Sequence, residues 1–350
     1  MNDPSSTAIL GNLALSFKHE TRNPASREVL VKIHAAALNY RDLLILAHSE
    51  SYPVEKPDGL VPCADGAGEV VQVGHDVQKW SVGDKVLFSP QFAWLDEEDV
   101  SVFDFSQTLG VGEFFGTLQQ YLIVSEDWIV KMPDHLSYEE AAALPLAGST
   151  AVNALLGTNG LDSWKTLEGK LKSRTVLTQG TGGVSCFAIQ LASALGMTVY
   201  ATSSSDVKLS KVRELGANHT INYHDFPNWH EEVLRLTENR GVDLVVEVGG
   251  AGTLKQSLRA ARQGGTVALV GILTQSKPQD EDLVPDILFG AKTIRGVFGF
   301  SIRMLQILVE IVVTHDIKPV ISQVFDWRDA PGAFAALQKG NTIGKIVVRM

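Results

Sequence analysis

Thr175-Val-Leu-Thr-Gln-Gly-Thr-Gly-Gly-Val-Ser185 runs from a short apolar stretch into a glycine-rich turn and then into residues of helical period. Strand, tight turn and helix start account for that order. Small residues suit a turn whose backbone must approach a pyrophosphate, because the helix behind it offers unpaired N–H groups and a positive dipole end to the phosphates. A lone Gly-x-Gly is a weak signal, so the surroundings decide. Five more apolar runs follow at strand length: Thr198-Val-Tyr-Ala201, His219-Thr-Ile-Asn222, Asp243-Leu-Val-Val-Glu247, Thr266-Val-Ala-Leu-Val270 and Thr293-Ile-Arg-Gly-Val297. Helix-period segments such as Val184 to Leu195 and Val207 to Leu215 separate them. Six strands alternating with helices predict an α/β, doubly wound parallel sheet, and a plain tight turn at Gly180 becomes the weaker reading.

Before this region the rhythm differs. Val29 to His34, Gly68 to Gly74, Asp84 to Phe88 and Gln120 to Ser125 are short alternating runs punctuated by Gly, Pro and Asp, which predicts a β-rich antiparallel domain. The final run, Gly344 to Arg349, reads as a strand returning to that first domain. The expected division is 1–145 completed by 316–350, and 146–315. Leu156 to Arg174 reads as an inserted loop, and Pro90 to Thr117 as a long connection whose Trp94, Phe103, Phe105, Phe114 and Phe115 could wall a substrate pocket.

The chain has 350 residues, 45% of them hydrophobic and 20% charged, as expected of two globular domains. A formal charge of -10 without a basic patch argues against nucleic acid and anionic membrane partners. Met1 to Ala8 lacks the basic start and apolar core of a secretory signal. Ile302 to Val313, interrupted by Arg303, Gln306 and Glu310, reads as a buried amphipathic helix and not a membrane span. Cys63 and Cys186 form neither a disulfide framework nor a metal-spacing motif, which points to a reducing, cytoplasmic setting.

The second strand of the parallel sheet selects the dinucleotide. NAD-specific sheets place an acid at its end to bond the ribose hydroxyls. Here Ser203, Ser204 and Ser205 come first, then Asp206 and Lys208. Serines and a lysine suit a 2′-phosphate, so NADPH is expected, with NADH kept open by Asp206. The serines read equally as caps of the following helix.

Several segments together resemble the medium-chain dehydrogenase/reductase superfamily, on its zinc-free quinone-reductase and enoyl-reductase side. They are Ala37-Leu-Asn-Tyr-Arg-Asp42, Val61-Pro-Cys-Ala-Asp-Gly-Ala-Gly-Glu-Val-Val-Gln-Val-Gly74, Val82-Gly-Asp-Lys-Val86, Ala141-Ala-Ala-Leu-Pro145, Thr178 to Ser185 and Leu215 to Tyr223. The resemblance implies a GroES-like catalytic domain, a Rossmann domain and a homodimer joined through the Rossmann sheets. It carries Gly180, Thr181, Gly182, Gly183 and Val184 to the pyrophosphate, and Ser203, Ser204, Lys208 and Tyr223 to the 2′-phosphate. Thr150, Gly249, Gly250, Gly271, Ile272, Phe298, Phe300 and Asn341 fall on the nicotinamide-ribose side. Tyr223 is also readable as an ordinary strand-end aromatic.

Zinc-dependent relatives hold their metal with soft and borderline ligands. Their positions resemble Asn39, the Cys63-Ala64-Asp65 segment and Leu146 here, and none keeps a competent set, so no zinc is expected. Without a metal the charge that develops on the acceptor oxygen needs hydrogen-bond donors. Asn39 and Tyr52 are the candidates, a turn-stabilising Asn and a packing aromatic being their plainer readings. The expected activity is NADPH-dependent, zinc-independent reduction of an α,β-unsaturated carbonyl or a quinone. A zinc-free NADP-dependent alcohol dehydrogenase or carbonyl reductase is the alternative, and a non-catalytic NADPH-binding protein a third reading.

Overall fold

The computed structural model describes residues 13–14, 22–52, 54, 58–94, 100–112, 114–157, 164–274 and 282–350, side chains of 166–168 excepted. The signal reading at Met1 to Ala8 lies outside them. Two compact units emerge, residues 1–149 with 300–350, and residues 150–299.

In the first unit the chain forms β1 (Glu28–Ala37), α1 (Tyr40–Leu46), β2 (Asp65–Val73), β3 (Lys85–Phe88), β4 (Tyr121–Ser125), β5 (Ile129–Lys131) and α2 (Tyr138–Ala142). Helix α3 (Pro145–Leu156) then leads into the second unit. There, α4 (Trp164–Leu171), β6 (Thr175–Gln179), α5 (Gly183–Ala194), β7 (Thr198–Ser203), α6 (Asp206–Glu214) and β8 (His219–Asn222) come first. They are followed by α7 (Trp229–Leu236), β9 (Val242–Glu247), α8 (Leu254–Ala260), β10 (Ala261–Leu269), α9 (Val284–Leu288) and β11 (Thr293–Gly296). The chain returns through α10 (Ile302–Thr314), β12 (Ile321–Asp326), α11 (Ala330–Lys339) and β13 (Lys345–Arg349).

The first unit is built on one sheet in the order β12-β13-β1-β2-β3-β5, with β4 also paired to β1. Its pairings are antiparallel except β12 with β13. β1 is buried over most of its length because it sits in the middle of this sheet, and Val29, Val31 and Ile33 pack with Val70, Val86 and Phe88. β13 does return to β1, with Ala37 opposite Val347. Short β5 and polar-flanked β12 carry too little alternation to be read from sequence.

The second unit holds a fully parallel sheet in the order β11-β10-β9-β6-β7-β8. All six expected strands are present, and the order reverses between β6 and β9. That switch point opens a crevice beyond the carboxyl ends of the two strands. Leu177, Tyr200, Trp229, Val233, Val245 and Leu258 form the core between this sheet and its helices.

Two expectations shift. The segment 156–174 is not all loop, since Trp164 is buried and anchors α4. The second unit ends at residue 299 and not 315, because α10 belongs with the first unit. Leu308 of α10 fills the space over Gly148, where a Cβ would lie only 2.4 Å from its methyl carbon.

Phe334 on α11 is fully buried against Leu38, Leu43 and Ile346. Phe334→Ala is expected to lower the unfolding free energy of the first unit by about 3–5 kcal/mol in urea titration, the usual cost of deleting a buried ring. A loss below about 1 kcal/mol would show that α11 is not part of the core.

Candidate active site

The glycine turn sits directly after β6, at the switch point. Gly180 has φ +69°, a left-handed conformation that L side chains rarely adopt, and its N–H donates to the Thr202 carbonyl at 2.8 Å. An ideal Cβ on Gly180 or Gly182 would meet nothing within 4 Å. The turn therefore faces open space on the side a phosphate would use. Gly182 is the N-cap of the twelve-residue α5 and has no side chain to occupy the first-turn N–H groups, which leaves the helix end fit for an anion.

Two buried residues hold this crevice in shape. The Glu247 carboxylate, at the end of β9, has no solvent exposure. Its Oε1 accepts from Gly249 N (2.7 Å), Gly250 N (2.8 Å) and Thr253 Oγ1 (2.7 Å). Its Oε2 accepts from Gln179 Nε2 (2.7 Å) and from Ser257 Oγ. Gln179, last residue of β6, returns its Oε1 to the N–H groups of Val248 and Gly249. The loops after β6 and β9 are thus fixed to each other by neutral donors gathered on one charge. Motif reading finds the glycines but not this clamp, whose members look like ordinary strand ends.

The other predicted cofactor residues fall as follows. Thr181 is buried, and Gly183 and Val184 are half-buried at the start of α5. Ser204 and Lys208 are half-buried and Tyr223 is exposed. Among the described residues the Lys208 ammonium has no carboxylate partner. Ser203 is buried within β7, so it is badly placed to reach a ligand; Ser205 caps α6, accepting from Lys208 N. Asp206 accepts from Asn222 Nδ2 at 3.2 Å. Gly250, Gly271 and Ile272 lie beyond β9 and β10, and a Cβ at Gly271 would stand 2.0 Å from the Val248 carbonyl. Asn153 Nδ2 donates to the Phe298 carbonyl (3.0 Å), while Thr150 is buried at the start of the same unit. Phe300 and Asn341 belong to the first unit. Phe300 joins an aromatic cluster there, and Asn341 lines an open groove of about 450 Å³ with Gln323, Phe325 and Lys339.

The first unit contains the second cluster. β1 pairs with β13 so that Ala37 opposes Val347, and two residues further Asn39 comes level with Lys345. β1 also sets Ala37 against Asp65 of β2. The three side chains meet. Lys345 Nζ donates to Asn39 Oδ1 (2.5 Å) and Asp65 Oδ2 (2.9 Å), and Asn39 Nδ2 donates to Asp65 Oδ2 (2.9 Å). The Leu146 N–H donates to Asp65 Oδ1 at 2.8 Å. Relative exposures are 0% for Asp65, 3% for Lys345 and 8% for Asn39. Asn39 is the N-cap of α1, where its N–H donates to the Asp42 carboxylate (2.8 Å) in a capping box, so the helix-start role stands beside its place in the buried cluster. Lys345 was invisible in the sequence, where it merely opens an apolar strand.

Tyr52 stands near by along the chain. Its ring packs edge-on to Phe105 at 5.8 Å and lies 5.7 Å from the Arg41 guanidinium carbon. Phe103 continues the cluster to Phe105, Trp94 and Phe300. Phe114 instead packs on Phe92 and Trp128, and Phe115 is exposed. Cys63, fully buried, has its thiol pushed well up by burial and by Asp42 and Asp65, which leaves it an inert small residue.

A β-rich unit with a buried polar cluster and a parallel-sheet unit with an open glycine cradle define a dinucleotide-dependent oxidoreductase of two-domain type. Comparison with known proteins agrees. The family described as "Alcohol dehydrogenase GroES-like domain" matches residues 25–134, and "Zinc-binding dehydrogenase" matches residues 183–314. The chain is 37% identical to the zinc-type alcohol dehydrogenase-like protein C1773.06c of Schizosaccharomyces pombe, covering 92% of this chain and 91% of that one. It is 27% identical to a crotonyl-CoA carboxylase/reductase of Cereibacter sphaeroides, over 91% of this chain and 79% of that one. The crystal structure of a putative alcohol dehydrogenase from Sinorhizobium meliloti superposes with a TM-score of 0.82 at 33% identity, covering 94% and 93%. The chain belongs to the medium-chain dehydrogenase/reductase superfamily and is an oxidoreductase, with NAD(P) the cofactor typical of that family.

Asp42 gives the site a pH signature. Its carboxylate accepts the Asn39 N–H (2.8 Å), but burial raises its pKa to about 6 against the pull of Arg41 and Lys345 and with the push of Asp65. A raised carboxyl pKa means that the folded state binds the proton more tightly than the unfolded chain does. The ionisation cost is absent at low pH, grows as pH rises from about 4 to 6, and is complete above 6. Asp42→Asn removes it. Relative to wild type, the variant should gain about 2–3 kcal/mol of unfolding free energy between pH 4 and 7.5. A difference that stays flat over that range would show that Asp42 does not titrate in this way.

Proposed function

We propose that the chain is a zinc-independent, NADPH-dependent reductase that transfers hydride to an α,β-unsaturated carbonyl or a quinone. The Asn39, Asp65 and Lys345 cluster carries this reading. Zinc needs Cys, His or carboxylate atoms free to coordinate it. At the positions that resemble the ligands of zinc-dependent relatives stand an amide, the methyl group of Ala64, and Leu146, whose N–H is given to Asp65. A lysine ammonium already holds both Asn39 Oδ1 and Asp65 Oδ2. A second cation at those oxygens would be repelled, so this donor set does not fit zinc despite the name of the family.

The residues of the parallel-sheet unit do fit a dinucleotide. Gly180 and Gly182 leave its pyrophosphate room, and the start of α5 complements its charge. Ser204 after β7, Lys208 on α6 and Tyr223 after β8 would supply donors for a 2′-phosphate, while the Asp206 carboxylate is engaged by Asn222. NADPH bound there would supply the hydride. Asn39 and Tyr52 are the proposed donors to the acceptor oxygen. A conjugated acceptor asks least of such donors, since its product charge is delocalised, and the crotonyl-CoA reductase relative supports that acceptor class. The alcohol dehydrogenase-like relatives favour a second reading, NADP-dependent alcohol or carbonyl turnover.

A homodimer is proposed through the Rossmann sheet. β11 is an edge strand, and Val284, Leu288 and Phe289 beside it in sequence are 63%, 66% and 78% exposed. Cys63 and Cys186 are both buried thiols, in keeping with a reducing cytoplasmic setting, and among the described residues no helix is long and apolar enough to cross a membrane.

Steady-state assays test the reading. Wild type should oxidise NADPH with enones or quinones and show little turnover of simple alcohols with NADP. Lys208→Ala should raise the KM for NADPH roughly 10–100-fold, the scale of one lost charge-assisted bond, and change that for NADH less than threefold. Equal losses would remove the 2′-phosphate assignment, and alcohol turnover without enone turnover would promote the second reading.

A further inference from the structure

We propose that Lys345 is a positioning residue that orients and polarises the Asn39 amide, so that its remaining Nδ2–H is presented to the acceptor oxygen. This deepens the reductase reading and rests on it. An asparagine amide can be held in two orientations, and the cluster permits one. Lys345 offers only donors and therefore takes Oδ1; Asp65 offers only acceptors and takes Nδ2. The amide nitrogen has two hydrogens, one given to Asp65 and the other without an acceptor among the described residues. Of the three residues Asn39 keeps the largest exposure, 8% against 3% and 0%, which makes it the member placed nearest the surface of the cluster.

The ammonium acts through the amide. A full charge bonded to Oδ1 draws electron density from the amide nitrogen, and its hydrogens become stronger donors in a setting of low dielectric. The Asp65 carboxylate balances the ammonium, so the arrangement costs no unpaired buried charge. An apolar trio would fill the same space with less desolvation, and the persistence of three hydrogen-bonded groups here is accounted for by the orientation they impose.

The test is a double-mutant cycle on the full-length protein loaded with NADPH, read with a simple enone, a strongly electrophilic quinone and an aldehyde. Lys345→Met should lower kcat for the enone about 30–100-fold and for the quinone less than fivefold, because an acceptor that stabilises its own charge needs less from the donor. KM for NADPH should stay within threefold. Asn39→Ala should give a similar enone loss, and the double variant should lose little more than either single one, since Lys345 works only through Asn39. Uniform losses across the three acceptors, or losses that multiply in the double variant, would overturn the proposal while leaving the reductase reading intact. Wild type that reduces none of the three removes both. If only the aldehyde turns over, the cycle is read on it, because charge develops on oxygen there too. Should Lys345→Met not fold, as judged by circular dichroism and NADPH binding, Lys345→Gln is read by the same criteria.

Discussion

A carboxylate with no access to water has to be satisfied from inside, and the first unit closes around one such group, Asp65. Its carboxylate takes donors from three places, Lys345 at the start of β13, Asn39 before α1 and the Leu146 N–H at the start of α3, while the Thr117 hydroxyl donates to the Asp65 backbone carbonyl at 2.6 Å. Strand register makes this possible. Because Ala37 opposes both Asp65 and Val347, the ends of β2 and β13 arrive beside the residue that follows β1 by two. A one-residue slip of β13 would turn Lys345 to the other face and leave Asp65 unpaired, so the pair and the register enforce each other.

The parallel sheet meets the same demand in another way. Glu247 is equally buried but accepts from backbone N–H groups, two hydroxyls and an amide instead of pairing with a cation. Neutral donors taken from loops fix the loops. For a ligand that brings phosphate charge, that solution would avoid placing a fixed cation away from the phosphates, while charge at the glycine turn would be met by the end of α5. The first unit uses an ammonium, and what it fixes is the orientation of one side chain.

Much of the fold was legible because it depends on local periodicity. The six parallel strands, α5, the buried face of α10 and the return of β13 all carry patterns that extend over several residues. The division at α10 was not legible, since an apolar helix reads the same whichever unit it packs on, and its contacts with β5 and that of Leu308 with Gly148 reveal the choice. At the site, glycines are readable because a tight turn excludes other residues. Asn39 was readable as a candidate, but its partner Lys345 lies at the far end of the chain in an unremarkable Gly-Lys-Ile segment, and the meeting of the two is a property of register. Ser203 shows the opposite error: a serine of suitable chemistry that β7 turns inward.

The chemistry proposed for the site turns on how a lysine differs from a metal. A metal ion binds an acceptor oxygen directly and can stabilise a localised alkoxide. The Lys345 ammonium is already bonded to Asp65 and to Asn39 and is nearly buried, so in the proposed reductase its charge would reach an acceptor only through an amide. Such a donor is weaker but permanently oriented, and preorganised donors cost no reorganisation when charge develops. Such a donor would therefore suffice only for acceptors whose negative charge spreads over several atoms before it reaches the oxygen. Enolates and hydroquinones are of that kind, whereas simple alkoxides are not. The same buried pair that secures the register of β13 thus also argues for conjugated acceptors.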